Sequence, residues 1–376
     1  MKIIFISVHF PPISDGVGDY TFYLSEKLRN AGHEVKVVSS PTQTGRDNQS
    51  RVDLEIRKWN MSAISPILKF AKQEKPDLLI FQYVPYSYSG IGTPFWLCIL
   101  FTFLKARGLK VAITFHEVAI RLSFLNIKHL FVGLSQRLIA YYMTICSDAV
   151  ITSIDKYVDM LSFIKPVHKI PVGNNIAPAN DQATVKNEFQ GEFIICSYAN
   201  RLSLPLIEAF GMFSERYPAR LVLLGKNTNR KHEKFQEKIK KEKLSEKVHF
   251  TGYLSSSDLY QLLSSADIYL QLEKIEKKNQ GGLSLKSGAF ASACHAGLPI
   301  IATAGDMTEN RLLTSGCVHF IKPATKEEIA KALFYLYEHK EIREKLSFRS
   351  KAFSRNVLDW DLITKNYIGV IEKVSN

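Results

Sequence analysis

The sequence predicts an α/β protein of two doubly wound, parallel-sheet domains of Rossmann-like type. Three observations carry this reading. Apolar runs of four to six residues, bounded by Gly, Pro, Asn or Asp, alternate with amphipathic stretches of helical length along the chain. The alternation halts in the polar segment 174–190, which contains Pro178, and then restarts. The length, 376 residues, suits two domains that each bury a core. Parallel strands need helical crossovers, and the alternation supplies them. Two such domains are expected to face each other across a cleft, with ligands outside the carboxyl ends of the strands.

Residues 2–7 read as a first, buried strand. A helix follows over 20–31, with Leu24 and Leu28 on one face and Gly32 at its end, then the strand EVKVVS at 34–39. Residues 64–73 read as a helix with Pro66 in its first turn, and DLLIFQ at 77–82 as a strand. A helix over 95–107, the strand KVAITF at 110–115, a long apolar helix over 129–147 and a strand at 149–153 come next. A helix over 156–164 and a short strand at 167–170 complete the first series. The second series has strands at 191–197, 220–224, 248–250, 267–272 and 299–303. Helices over 204–217, 230–243, 257–265 and 285–296 lie between them, and helices over 326–339 and from 340 onward follow.

Composition narrows the classes. Apolar residues make up 46% of the chain and charged residues 23%, which excludes a disordered, collagen-like or coiled-coil protein. Lys and Arg outnumber Asp and Glu by 49 to 36, a formal net charge of +13. The excess is shared, with 20 against 13 in residues 1–180 and 29 against 23 in 181–376. It favours phosphorylated ligands or an anionic membrane surface, the latter near the helix 95–107 and around Arg121, Lys128 and Arg137. Nucleic acid is not expected, because no basic motif interleaved with aromatic residues is found. The five cysteines show no metal-ligand spacing and read as small apolar residues in a reducing, cytoplasmic setting. The first residues, MKIIFISVHF, lack the pattern of a signal peptide. The apolar run FWLCILFTFL is about half the ~20 residues of a membrane span, so a buried or interfacial helix is expected there.

Candidate chemistry lies in the loops that follow strands. The loop PPISDGVGDY places Gly16 and Gly18 before a helix, where backbone N–H groups can approach an anion; flexible turn glycines are the alternative. The third glycine of a dinucleotide fingerprint is absent. His116, directly after KVAITF, is a candidate hydrogen-bond donor or acid/base, or else a satisfied structural histidine. Arg201, in SYANRLS, suits a diphosphate through paired hydrogen bonds, or a surface ion pair. The densest signal is QGGLSLKSGAFASACHAGLPIIAT at 280–303. Ser284, Lys286 and Ser287, with the start of a small-residue helix, form a candidate phosphate cradle without Walker spacing. His295, near the helix C-terminus, reads as structural, because a cation there suits the helix dipole. FTGYL at 250–254 offers backbone groups for a base edge.

These residues carry an ordered pattern. MKIIFISVHFPPISDGVGDYTFYLSEKLRNAGHEVKVVS, ITFHEV, KIPVGNNI, ANRLS, LVLLGKN, VHFTGYLSSSDLYQLLSSADIYLQL and HAGLPIIAT fall in the order seen in the retaining glycosyltransferases of family 4, and the chain resembles that family over most of its length. The resemblance implies the two-domain GT-B fold and transfer of a sugar from a nucleotide-diphosphate sugar, with retention and with no cofactor or metal. It implies an N-terminal acceptor-binding domain at 1–177, a nucleotide-sugar-binding domain at 178–355 and a last helix in 356–376 that packs back on the first domain. Gly16 and Gly18 would approach the donor, His116 would bond a sugar hydroxyl and Arg201 would neutralise the diphosphate. Gly225, Tyr253, Leu254, Leu285, Ser287 and Gly288 are the further donor-binding candidates, with Tyr253 and Leu254 at the base.

Two departures from the family stand out. Anchored on Ala296-Gly297-Leu298-Pro299, the family's pair of glutamates falls on Ser284 and Ser292, which lack a carboxylate's charge and reach. The family's lysine after the arginine is missing from ANRLSLPLIEAF, and Lys286 is the candidate replacement. GLSLKSG is similar to a family variant with an SLRRG-like segment, which implies substitution rather than loss of activity. Asp359-Trp360-Asp361 spells the DxD of some metal-dependent transferases but opens the last helix, so it reads as a helix cap and not a metal site. The expectation is a metal-independent transferase acting on a glycan or lipid-linked saccharide in bacterial cell-surface polysaccharide synthesis, cytoplasmic or peripheral at the inner membrane face. The alternatives are a non-catalytic GT-B paralogue that binds a partner and a nucleotide-sugar 2-epimerase.

Overall fold

The structure is a computed structural model and describes residues 1–13, 15–41, 52–123, 125–176, 191–226, 232–276 and 280–375. The chain divides into two compact units: Met1–Val172 with Trp360–Asn376, and Gly173–Asp359. The expected boundary at 177/178 and most of the expected linker lie outside the described residues, as do the first two residues of the expected helix 230–243.

The first unit holds a seven-stranded sheet. Its strands are β1 (Lys2–Ile6), β2 (Glu34–Ser39), β3 (Leu54–Glu55), β4 (Leu78–Tyr83), β5 (Val111–Phe115), β6 (Ala149–Thr152) and β7 (Val167–Lys169). The order is β3-β2-β1-β4-β5-β6-β7 and every pairing is parallel, with Ile4 facing Lys36 on one side and Leu79 on the other. The strand β4, LLIFQY, is buried throughout, as a central strand covered on both faces must be. The order reverses between β1 and β4, the point where doubly wound sheets open a crevice.

The helix Gly16–Asn30 starts four residues before its apolar periodicity does. The cause is a cap: Oδ1 of Asp15 accepts the N–H groups of Val17 (3.0 Å) and Gly18 (2.9 Å). The last helix, Trp360–Ser375, packs on it. Trp360 stacks on Tyr23 at 5.7 Å, Tyr20 donates its hydroxyl to that of Tyr367 at 2.9 Å, and Lys27 pairs with Asp361 at 2.6 Å. Ile363 and Ile371 are buried there, each contributing roughly 1.5–3 kcal/mol, and Tyr367 is buried beside them. The helix therefore belongs to the first unit although 187 residues of the second precede it.

The second unit holds β8 (Phe193–Tyr198), β9 (Ala219–Leu224), β10 (Val248–Phe250), β11 (Ile268–Gln271), the antiparallel hairpin of β12 (Ile275–Glu276) and β13 (Gln280–Gly281), then β14 (Ile300–Thr303) and β15 (Val318–Ile321). Its parallel sheet runs β10-β9-β8-β11-β14-β15, with the reversal between β8 and β11. Phe210 and Phe213 of the helix Leu204–Ser214 and Leu333 and Leu336 of the helix Lys326–Glu338 fill the core beneath it. Strands β3 and β15, the hairpin and the helix Asn310–Ser315 were not among the elements read from the periodicity. The helix expected over 285–296 starts only at Gly288, because Ser287 caps it by accepting the N–H of Phe290 at 3.2 Å.

Candidate functional site

The carboxyl edge of the second sheet gathers most of the candidate residues. The strand β8 runs into a 3-10 turn, Ala199–Arg201, and β11 runs into Glu273, so Arg201 and Glu273 emerge on either side of the switch point. They meet there, with Arg201 Nη2 2.8 Å and Nε 3.1 Å from Glu273 Oε1. Buried Gln271 extends the contact, its Nε2 donating to Glu273 Oε1 (3.1 Å) and to Ser287 Oγ (2.7 Å). Arg201, Glu273, Gln271 and Ser287 thus form one chain of hydrogen bonds that ends at a helix N-terminus, where partial positive charge accumulates.

The loop before that helix is tied down at three points. Leu283 donates its N–H to Thr303 O (2.9 Å), Leu285 to a carboxylate oxygen of buried Glu309 (3.2 Å), and Ser287 to Ser284 O (3.2 Å). Ser284, Leu285, Lys286, Ser287 and Gly288 therefore form one tethered turn, linked to Arg201 through Gln271 and Glu273. Ser292, one turn further on, faces elsewhere: its buried hydroxyl donates to Oδ1 of Asn175 at 2.9 Å, and Ser256 donates to the carbonyl of the same asparagine at 3.3 Å.

Gly225 and Gly252 follow β9 and β10 and form an antiparallel bridge, with φ of +81° and +66° that other residues rarely adopt. Thr251 Oγ1 accepts the N–H of Gly225 at 3.2 Å. Beyond this bridge Tyr253 is 72% exposed and Leu254 half-buried, a ring and an apolar side chain open to a ligand beside the two neighbouring strand ends. His295 sits in the last helical turn, half-buried and 5.6 Å from Tyr260. Burial pushes its pKa below the ordinary histidine value, with Asp359 opposing, which disfavours the cation that the helix dipole would suit.

In the first unit His116 follows β5 and is only 9% exposed. Its Nε2 lies 2.7 Å from Gln82 Oε1, its N–H donates to Tyr83 O at 3.0 Å, and Tyr20 meets its ring edge-on at 5.1 Å. Gly16 and Gly18 open the helix that carries Tyr20. A Cβ on Gly18 would lie 3.2 Å from the backbone of His9, whereas one on Gly16 would meet nothing within 4 Å. The Gly18 N–H is already engaged by Asp15. Arg137, expected on a basic face, is half-buried and donates to Ile120 O and Gly133 O, both at 2.8 Å. Sequence reasoning missed Glu273, Gln271, Asn175 and Gln82. Asp361 is engaged by Lys27, and among the described residues no group of three or more His, Cys, Asp or Glu is placed to hold a metal.

The geometry defines a class: a two-unit, doubly wound α/β protein with an arginine and a capped helix N-terminus at the switch point of its second sheet. Family profiles agree with it. "Glycosyl transferases group 1" matches residues 185–353 and "Glycosyltransferase Family 4" matches residues 14–158, together most of the chain. Mannosylfructose-phosphate synthase of Agrobacterium fabrum is 24% identical over 225 residues, 55% of this chain and 48% of that protein, so the match spans about half the length of this curated relative. Among solved structures, sucrose-phosphate synthase from Thermosynechococcus elongatus superposes with a TM-score of 0.73 at 16% identity, covering 99% of this chain and 98% of that one. HepE of Anabaena, in complex with UDP-glucose, does so with 0.71 at 14% identity, covering 100% and 99%. At these identities the structural likeness speaks for the fold. The chain belongs to the family 4 glycosyltransferases and has the GT-B type of fold.

Proposed function

We propose that this protein is a retaining glycosyltransferase that moves a sugar from a nucleotide-diphosphate sugar to a hydroxyl of a glycan or lipid-linked acceptor, in bacterial cell-surface polysaccharide synthesis. One observation carries the reading: Arg201, the tethered loop 284–288 and the Ser287-capped helix N-terminus converge at the switch point of the second sheet. Fixed positive groups there suit a diphosphate that gains charge as it leaves. Arg201 would exchange Glu273 for phosphate, and Lys286 would supply the second charge. The base would lie against Tyr253 and Leu254, beside the Gly225–Gly252 bridge. UDP-glucose is the first donor to test, since HepE holds it.

In this proposal the first unit takes the acceptor, and His116 bonds a donor hydroxyl while Gly16 and Gly18 allow close approach. Transfer needs no metal and no enzyme nucleophile: the acceptor hydroxyl attacks the face that the phosphate leaves, and its proton passes to the departing phosphate oxygen as the sugar–phosphate bond breaks. A lipid-linked acceptor would bring the protein to the inner face of the membrane. A second reading, a non-catalytic paralogue, draws on Ser284 and Ser292 in place of carboxylates and on the engagement of Ser292 by Asn175. Calorimetry against UDP-, GDP-, dTDP- and ADP-sugars, followed by product analysis for anomeric configuration, decides between them. Binding of one donor with turnover to a retained product is the expected result; binding of none sinks the transferase reading.

A further inference from the structure

We propose that the paired helices Trp96–Ala106 and Ile127–Cys146 form a surface that docks on an anionic lipid bilayer. The two helices pack on each other, and the hydroxyls of Thr102 and Tyr142 lie 2.6 Å apart across their outer edge. The second helix is apolar on both sides. Its inward side buries Ile139, Ala140 and Met143 beside Gly133, Ser135, Gln136 and Thr144. Its outward side repeats every three or four residues as Ile127, Phe131, Leu134, Leu138, Tyr142 and Ile145, all exposed. Ile127 is 83% exposed, Leu138 65% and Phe131 64%, the opposite of a helix that meets water with its polar face. The first helix continues the apolar face with Phe95, Ile99 and Phe103. Scattered exposed apolar residues are ordinary, but a contiguous face on two adjacent helices marks an interaction surface.

Charge selects the occupant. Neither helix contains an acidic residue, and between Val84 and Ser147 Glu117 stands alone against six Lys and Arg. Lys105, Arg107 and Lys128 are exposed around the apolar face. Arg107 lies 5.4 Å over the ring of Phe103, and both line a groove of about 460 Å³ with Met61, Leu68, Lys69 and Lys72. Its lining holds three cations and no carboxylate, which suits a phosphate headgroup. A second copy of this chain would bring the same cations face to face. Among the described residues no helix is long and apolar enough to cross a membrane, so the pair would lie in the interface plane with the apolar face inward.

The surface names the membrane partner of the function proposed above and rests on that reading only for its purpose, since lipid binding needs no donor. The test is co-sedimentation of the full chain with vesicles of phosphatidylcholine, alone or mixed with phosphatidylglycerol. The expected result is binding to the mixed vesicles that weakens with salt. The double substitution Phe131→Ser and Leu138→Ser should weaken it by about tenfold or more, with unchanged thermal unfolding because both side chains are exposed. Replacing Lys105, Arg107 and Lys128 by Gln should remove the preference for anionic lipid. Absent vesicle binding, or binding that the Ser variant leaves unchanged, overturns the proposal. A dimer in light scattering that the same variant splits, without vesicle binding, assigns the face to a second copy and also overturns it. Donor titration on the same preparations separates the two readings, because donor binding without vesicle binding sinks the surface alone, and vesicle binding without donor binding sinks the transferase alone.

Discussion

Arg201 grips Glu273 through a single carboxylate oxygen, with Nη2 at 2.8 Å and Nε at 3.1 Å. Both bonds converge on Oε1, so the pair falls short of the two parallel bonds that make an arginine–carboxylate contact strong. The Arg side chain is 20% and the Glu 31% exposed, and a partly solvated pair of this kind is worth about 1 kcal/mol or less. A diphosphate, with more charge and more acceptors, can displace it. Arg201→Ala should therefore lower kcat/KM for the nucleotide-sugar by about 100-fold or more while leaving the melting temperature close to wild type. Steady-state kinetics and a thermal scan check both halves, and undiminished turnover removes Arg201 from the site.

Glu273 competes with the donor for the same guanidinium. Neutralising it should release that competition, so Glu273→Gln is expected to bind the nucleoside diphosphate about 2–5-fold more tightly at low salt. The gain should shrink as salt rises, because the pair is open to screening. Calorimetric titration at two ionic strengths gives the answer. Weaker binding would instead make Glu273 a direct donor contact.

The strands were the most legible part of the chain. DLLIFQ reads as a buried strand because a parallel sheet covered on both faces leaves no polar alternation, and β4 lies within one residue of the range read from it. Helix starts were less so. Gly16–Asp19 presents no apolar face, and the signal that marks the start is Asp15 as a cap, not periodicity. In the same way Leu285 mimics the first apolar position of a helix, while Ser287 sets the real start. Arg201 was legible because it follows a strand, and the loop 284–288 because glycine, serine and lysine precede a helix of small residues. Glu273 was not, since it stands in the run EKIEKK, which reads as a solvated charged stretch. Only its meeting with Arg201, 72 residues away in sequence, gives it a role.

Ser287 separates stability from ligand binding. Ser287→Ala removes the cap on Phe290 and the partner of Gln271, which should cost about 1 kcal/mol. Ser287→Asp keeps a capping oxygen and adds a negative charge that suits the helix N-terminus, so its stability should match wild type. That charge would sit in the proposed phosphate cradle and weaken donor binding by about tenfold or more. Denaturant unfolding and donor titration of the two variants should therefore rank them in opposite orders. The same ranking in both measurements would place the diphosphate elsewhere.

Gly18 and Gly16 differ only in what surrounds them. A Cβ at 18 would press on the His9 backbone carbonyl at 3.2 Å and the Phe10 Cα at 3.3 Å, and backbone atoms yield little. Gly18→Ala should cost about 1–3 kcal/mol. Gly16→Ala meets open space at the first helical position and should stay within about 0.5 kcal/mol of wild type. Chemical denaturation of the pair checks this, and equal costs would contradict the close approach of the loop at His9 and Phe10.

Four histidines, His33 and His168 in the first unit and His295 and His319 in the second, share one direction of shift. Burial is the largest cause in each and pushes the pKa below the ordinary 6.5, with Lys373 adding to the effect at His168 and Asp359 opposing it at His295. Between the lowered folded value and 6.5 the unfolded chain binds more protons than the folded one, so stability rises with pH through that window. It is complete above 6.5 and is lost progressively as the pH falls below it. The melting temperature should therefore be lower at about pH 5.5 than at about pH 7.5. His319→Gln should flatten the dependence in the second unit, since burial alone shifts His319. A melting temperature that rises on acidification through this window would reverse the sign and show that these rings fold in their charged form.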